Sequence, residues 1–298
     1  MTSQGFLRHF IACNSCDLTK FAPFYIAEKR LGWVKKELAT EMSSSPEHEG
    51  RIPSPQADKN FITNGASLSL ASHLKDFQSR SAALAAATEW IGKKYKLPLR
   101  HEMYPLVEKW GDEPLAQIDR VAVPWFGIKA FGIHVNGFVR RPDGIHLWIG
   151  ERAMDRQADP GKLDNLIGGG QPIGLTLEDN LCKEAKEEAG IDAQLALTAR
   201  PVRTLSYTLE RMLGIRDDVL FLYDLELPDG YTPRNTDGEV ARFHLMPLSE
   251  VAALVRDTDR FKFNCNLVVT DFLIRHNFLS PENSEYDAIM AYLNAPAQ

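Results

Sequence analysis

Three glutamates carry the most specific chemistry in this sequence. Glu184, Glu187 and Glu188 lie in the run from Gly168 to Ile191, GGGQPIGLTLEDNLCKEAKEEAGI. On a helix, residues three and four apart are neighbours, so these carboxylates share one face. Three negative charges that close repel one another strongly at neutral pH. A divalent cation resolves the conflict, and an all-oxygen ligand set suits magnesium or manganese.

The surrounding residues say how such a face is held. Thr176 followed three residues later by Asp179 is an N-terminal cap. Gly190 stands where a left-handed helix stop is expected. Leu181, Ala185 and Ala189 form an apolar stripe that buries one side of the helix and keeps the acids on its shoulder. A run such as Lys-Glu-Ala-Lys-Glu-Glu also describes a solvated helix face. The glycine triplet at a fixed distance, the cap and the Gly-Ile stop favour the site over the bland alternative.

This stretch resembles the Nudix box, the signature of hydrolases that cleave a diphosphate linked to another moiety. Gly169 takes its first position, and Lys183-Glu184-Ala185-Lys186-Glu187-Glu188-Ala189-Gly190-Ile191 takes its last nine. Two positions depart from the family pattern: Leu175 stands where a glutamate belongs, and Lys183 replaces an arginine. The resemblance implies an α/β fold, the Nudix α/β/α sandwich with a mixed sheet. It also implies that Glu184 and Glu188 ligate the metal, with Glu187 bound directly or through water.

At 298 residues the chain is about two domains long. We expect an N-terminal α+β extension over 1–120 and the Nudix hydrolase domain over 121–298. The net charge of −6 and the scattered Lys and Arg do not suggest a nucleic-acid surface. No apolar stretch approaches the ~18–20 residues of a membrane span, and no signal peptide is evident. Cys13 and Cys16 form a Cys-x-x-Cys pair with no second pair to complete a zinc site, so reduced thiols and a cytoplasmic location are expected.

Along the chain, Ile26–Trp33 reads as strand-turn-strand or a strand leading into a helix, 43–60 as a flexible loop, and 72–95 as a helix. Short extended pieces are expected at 97–110 and 118–123. Phe131–Val139 and Ile145–Ile149, joined by Pro142-Asp143-Gly144, have a hairpin signature. After the box we expect strands at 193–198, 202–209, 219–225 and 242–246. Helices are expected at 248–256, 264–276 and 286–293.

Pro160-Gly161-Lys162-Leu163-Asp164-Asn165, FGIHVNGFV and Phe261-Lys262-Phe263-Asn264-Cys265 are similar to a Nudix branch with an N-terminal extension. That branch is related to hydrolases of thiamine diphosphate and its oxy and oxo analogues. The resemblance implies that the turn at Gly168 offers a backbone carbonyl and Glu239 a further carboxylate to the metal. Glu187 or Glu239 would be the general base, and Lys183 would orient Glu184. Arg152 and Lys162 are candidates for the terminal phosphate. Trp125, Phe126 and Trp148 offer aromatic faces, His134 and Asn136 could hydrogen-bond ring nitrogens, and Lys262 and Asn264 could reach the pocket. The partner is a small organic diphosphate. The extension could cover the pocket or form a homodimer surface. Rival readings are a nucleoside diphosphate derivative such as ADP-ribose or a nucleotide sugar, an isomerase-like site, and a sensing module that binds without cleaving.

Overall fold

The computed structural model describes residues 5–43, 60–156 and 158–295. Helix α1 (Leu7–Cys13) comes first, then hairpin β1 (Phe21–Ile26) and β2 (Lys29–Lys35), and α2 (Lys36–Ser43). Next are β3 (Phe61–Asn64), β4 (Ser67–Leu70), the long α3 (Phe77–Tyr95), β5 (Met103–Leu106), β6 (Ala116–Asp119) and α4 (Val123–Phe126). The flexible loop expected at 43–60 lies, apart from its two end residues, outside the described residues. Strand β4 pairs parallel with β1 and antiparallel with β3, giving a four-stranded sheet ordered β2-β1-β4-β3. Helix α3 starts at a capping box between Asp76 and Ser79 and ends at Lys96 in the left-handed region. Its Leu84, Ala87 and Ile91 are fully buried, and the helix packs along β6.

The second sheet is built on β7 (Lys129–Arg141) and β8 (Gly144–Arg152), the expected hairpin. It continues with β9 (Leu163–Asp164), β10 (Ile167–Gly170), α5 (Leu177–Ala189), α6 (Ala193–Ala196), β11 (Arg200–Arg211) and β12 (Gly214–Glu226). Strand β13 (Val240–Pro247) and helices α7 (Leu248–Asp257), α8 (Cys265–Arg275) and α9 (Tyr286–Leu293) complete the chain. The strand order is β11-β12-β7-β8-β13, with β10 also on β7 and β9 on β8. The β12–β7 pair is parallel and the rest are antiparallel, so the sheet is mixed.

Strand alternation divides its two faces. Ile133, Val135, Tyr223 and Leu225 pack under α5 with Leu181, Ala185 and Ala189. Phe138, Leu147, Ile149, Leu220 and Leu222 pack on the other side with α1, α7 and α8. The result is the α/β/α sandwich expected from the sequence. One expected strand is corrected: 193–198 opens with the short helix α6. Asp192 accepts the backbone N–H of Leu195, and the cap plus two alanines favours helix over strand.

The two halves interlock. Helix α1 and the residue before it bury Phe6, Phe10 and Cys13 in the cluster around α8, while Trp125, Phe126 and Ile128 pack into the cluster around α3. At the seam, β2 presses its backbone onto the end of α4. A Cβ on Gly32 would lie 2.2 Å from the Phe126 carbonyl oxygen. Gly32→Ala is therefore expected to destabilise the protein by about 1–3 kcal/mol, the cost of overpacking, read as a lower denaturant midpoint.

Candidate active site

Helix α5 is built as its sequence requires. Thr176 and Asp179 form a reciprocal capping box, and Gly190 stops the helix at φ +65°. The register then places Glu184 and Glu188 one turn apart, and both are buried beside Leu181 and Ala185. They face strand β10, whose glycines make the approach possible. A Cβ on Gly169 would sit 2.3 Å from the Glu184 carboxyl carbon. The Gly168 N–H donates to Glu188 Oε2 at 2.8 Å.

Burial pushes the Glu188 carboxyl well above the usual range, with the charges of Glu184 and Asp164 acting in the same direction. Burial also raises Glu184, although Lys183 opposes it. Lys183 Nζ bridges Glu184 at 3.0 Å and Glu187 at 2.9 Å. Burial disfavours its charge, but hydrogen bonds to Glu187 and Glu184 prevail and its pKa is raised. Glu239 lies in the loop before β13, paired with Arg156 at 2.6 Å, and its charge is felt at Glu188. The four predicted acids thus gather around one region.

This donor set fits a hard divalent ion: buried carboxylates, one beside the other, in want of positive charge. The glutamates do not yet converge as tightly as another trio. His134, Asp164 and Cys265 hold ligand atoms within 4.8 Å of one another. Those atoms are already committed. Asp164 receives Arg152 at 2.8 Å, Lys262 at 3.1 Å and the Cys265 thiol at 2.7 Å. Burial opposes its charge, yet Lys262, His134 and Arg152 outweigh that and hold its pKa below the usual carboxylate range. Burial, followed by the nearby Lys262, lowers His134 to about 4, so the ring is neutral. Its Nδ1 pairs with Asn165 Oδ1 at 2.9 Å. A neutral ring and an already neutralised carboxylate describe a structural knot.

Several expected ligand contacts are corrected by this packing. Trp125 is buried in the extension's core, its ring 4.2 Å from that of Tyr95, so it faces no ligand. Phe126 and Trp148 are also core residues. Asn136 donates to Asp224 at 3.1 Å and accepts from Asn165 at 3.0 Å. Asn136 and His134 project to the sheet face covered by α8, and the amide and Nδ1 of the ring are spent on protein. Arg152 divides its guanidinium between Asp164 and the Ala158 carbonyl. Lys162 donates to the carbonyl of Asp259 in a surface loop. Lys262 is tied to Asp164, and Asn264 reaches Tyr207 Oη at 3.3 Å. Sequence reasoning missed Asp164 as the hub of this knot, because a single Asp in a two-residue strand carries no spacing signal.

Leu175, the departure from the family pattern, lines a cleft of about 670 Å3 with Trp110, Val107 and Leu177. Leu175 is half-buried and shares this cleft with Val107 and Trp110 of the extension, apolar surroundings that suit a leucine. A second cleft of about 410 Å3 contains Trp33, Trp110, Phe131 and Phe221. Neither cleft is lined by the four acids. Among the described residues no helix is long and apolar enough to cross a membrane.

Two family descriptions match the chain: "NUDIX domain" over residues 130–266 and "Domain of unknown function (DUF4743)" over residues 5–130. Nudix hydrolase 20, chloroplastic, of Arabidopsis thaliana is 38% identical over 288 residues, which cover 95% of this chain and 75% of the relative. Nudix hydrolase 24, chloroplastic, of the same plant is 38% identical over 286 residues, covering 95% and 75%. A crystal structure from Deinococcus radiodurans, DR0079, aligns with 57% of this chain and 98% of its own at 23% identity and a TM-score of 0.42. With its glutamate-bearing helix set against a glycine strand and relatives that share nearly its whole length, the chain belongs to the Nudix hydrolases.

Proposed function

We propose that this hydrolase cleaves a small organic diphosphate, thiamine diphosphate or an oxidised analogue, to the monophosphate and phosphate. The observation that carries the reaction type is the burial of Glu188 beside Glu184 against β10. Glu184, Glu188 and the Gly168 carbonyl would hold magnesium or manganese, with Glu187 and Glu239 completing the set. Such an ion supplies charge neutralisation to the phosphates and an acidified water. Lys183 orients Glu184 and balances Glu187. The proton passes to Glu187 or Glu239, whose side chains are 45% and 34% exposed and so remain reachable by water.

The substrate assignment rests on the shared extension-plus-Nudix layout and on the resemblance carried by residues 131–139, 160–165 and 261–265. The net charge of −6 argues against a nucleic-acid substrate. Unpaired thiols at all four cysteines suit a reducing compartment such as the cytoplasm.

Glu188→Gln is expected to lower turnover with magnesium by more than about 100-fold, beyond the loss of an outer-shell partner, with an unchanged melting temperature. Turnover at the parental rate would place the metal elsewhere. Lys183→Ala should raise the magnesium concentration needed for half-maximal activity by about 10–100-fold. In a panel assayed for phosphate release, thiamine diphosphate and its oxy and oxo forms should exceed ADP-ribose and nucleotide sugars. The reverse ranking removes the substrate assignment.

A further inference from the structure

Hairpin β5–β6 of the extension lies directly on the glycine strand of the box. Just past that strand, the Ile173 N–H donates to the Met103 carbonyl at 2.8 Å, while the Arg120 N–H closes the open end of the hairpin on the Glu102 carbonyl at 2.8 Å. The contact is close enough to fix the sequence beneath it. A Cβ on Gly170 would meet the Tyr104 hydroxyl at 1.7 Å and the Arg120 guanidinium carbon at 3.8 Å. One residue earlier, Gly169 turns to Glu184 on the opposite face, so this hydroxyl and guanidinium flank the same strand as the acids from its other side. Glu102, paired with Arg120 at 2.7 Å, is close enough for its charge to act on Glu184.

A second cation approaches from the hydrolase side. Arg216 on β12 is held by Asp218 at 2.8 Å, and its guanidinium carbon lies 5.5 Å from the centre of the Phe263 ring. Arg120 and Arg216 are near enough to repel each other, and both act on Tyr104. Their side chains are 51% and 40% exposed. Each guanidinium has five N–H donors, and its carboxylate partner uses only one edge. The Arg120–Glu102 pair is partly exposed and adds little to stability, whereas Arg216 also neutralises the buried Asp218. Two neighbouring cations beside the strand that carries the acids match an anion that would lie between them.

We propose that the extension is part of the active site: Tyr104 and Arg120, with Arg216, form a wall that grips the diphosphate of the substrate. This rests on the diphosphate-hydrolase reading above. The carboxylates would hold the metal side of the diphosphate, and the wall would hold the oxygens that face away from it. Residues before 130 would then set affinity for the phosphates, whatever the organic group.

The test is calorimetric titration of the full chain with methylenediphosphonate in magnesium, alongside steady-state kinetics on the best substrate of the panel. Arg120→Gln and Arg216→Gln should each weaken diphosphonate binding by about 10–100-fold, as expected for losing hydrogen bonds between charged groups. KM should rise in step, with kcat changed by less than about threefold. Arg120→Lys should fall between parent and Arg120→Gln, because charge is kept and the fork is lost. Binding within about twofold of the parent for a folded Arg120→Gln overturns the proposal. Should that variant fail to fold, Arg120→Lys decides, and parental binding there overturns it equally. Glu188→Gln separates the two readings. If Glu188→Gln is inactive while Arg120→Gln binds as the parent does, only the wall fails. A fully active Glu188→Gln removes the diphosphate site itself.

Discussion

Everything at the candidate site follows from placing two carboxylates, one helical turn apart, out of water. Glu184 and Glu188 sit on the buried flank of α5, and burial raises both. The surroundings limit that cost in small ways. The capping box and the Gly190 stop fix the helix ends, Ala185 lets the helix lie close to the sheet, and the Gly168 N–H takes one Glu188 oxygen. Lys183 brings a positive charge to Glu184 and Glu187 without closing the site. Glycine at 169 is a steric requirement, since any side chain would occupy the space of the Glu184 carboxyl.

Behind the glycine strand the protein invests in rigidity. Asp164 gathers Arg152, Lys262 and Cys265, and Asn165 links His134 to Asn136. Asn136 passes to Asp224, which is held by Arg275, which in turn reaches Asp271. A buried charge left without its partner costs several kcal/mol, about 3–5, so each member depends on the next. This network keeps β7, β9, β12 and α8 in register around the acids. Residues that looked like ligand contacts are its components.

The sequence states local structure well and long-range proximity poorly. Helix α5 was readable because cap, stop and stripe occur within one short segment, and the β7–β8 hairpin because its turn residues lie between two β-rich runs. The segment after Ile191 was misread as a strand because one capping bond from Asp192 decides it. Alternation along β7 places His134 and Asn136 on one face. It does not say that α8 will cover that face, and so both appeared available. Tyr104, Arg120 and Arg216 left no sign at all. Tyr104 lies in a hairpin far upstream of the box and Arg120 just after it, and Arg216 has an ordinary strand position until the sheet brings it near. Leu175 looked like a loss, and its side chain lines an apolar cleft with Val107 and Trp110 of the extension.

The docking of β5–β6 on β10 also bears on the order in which the protein takes shape. N-terminal segments leave the ribosome first and generally fold first. A hairpin already formed by residues 103–119 can serve as a template onto which the glycine strand settles, with the Met103 carbonyl waiting for Ile173. The acidic helix follows a few residues later and inherits its position from that landing. During synthesis, catalytic geometry would thus be transmitted from the older half of the nascent chain to the younger.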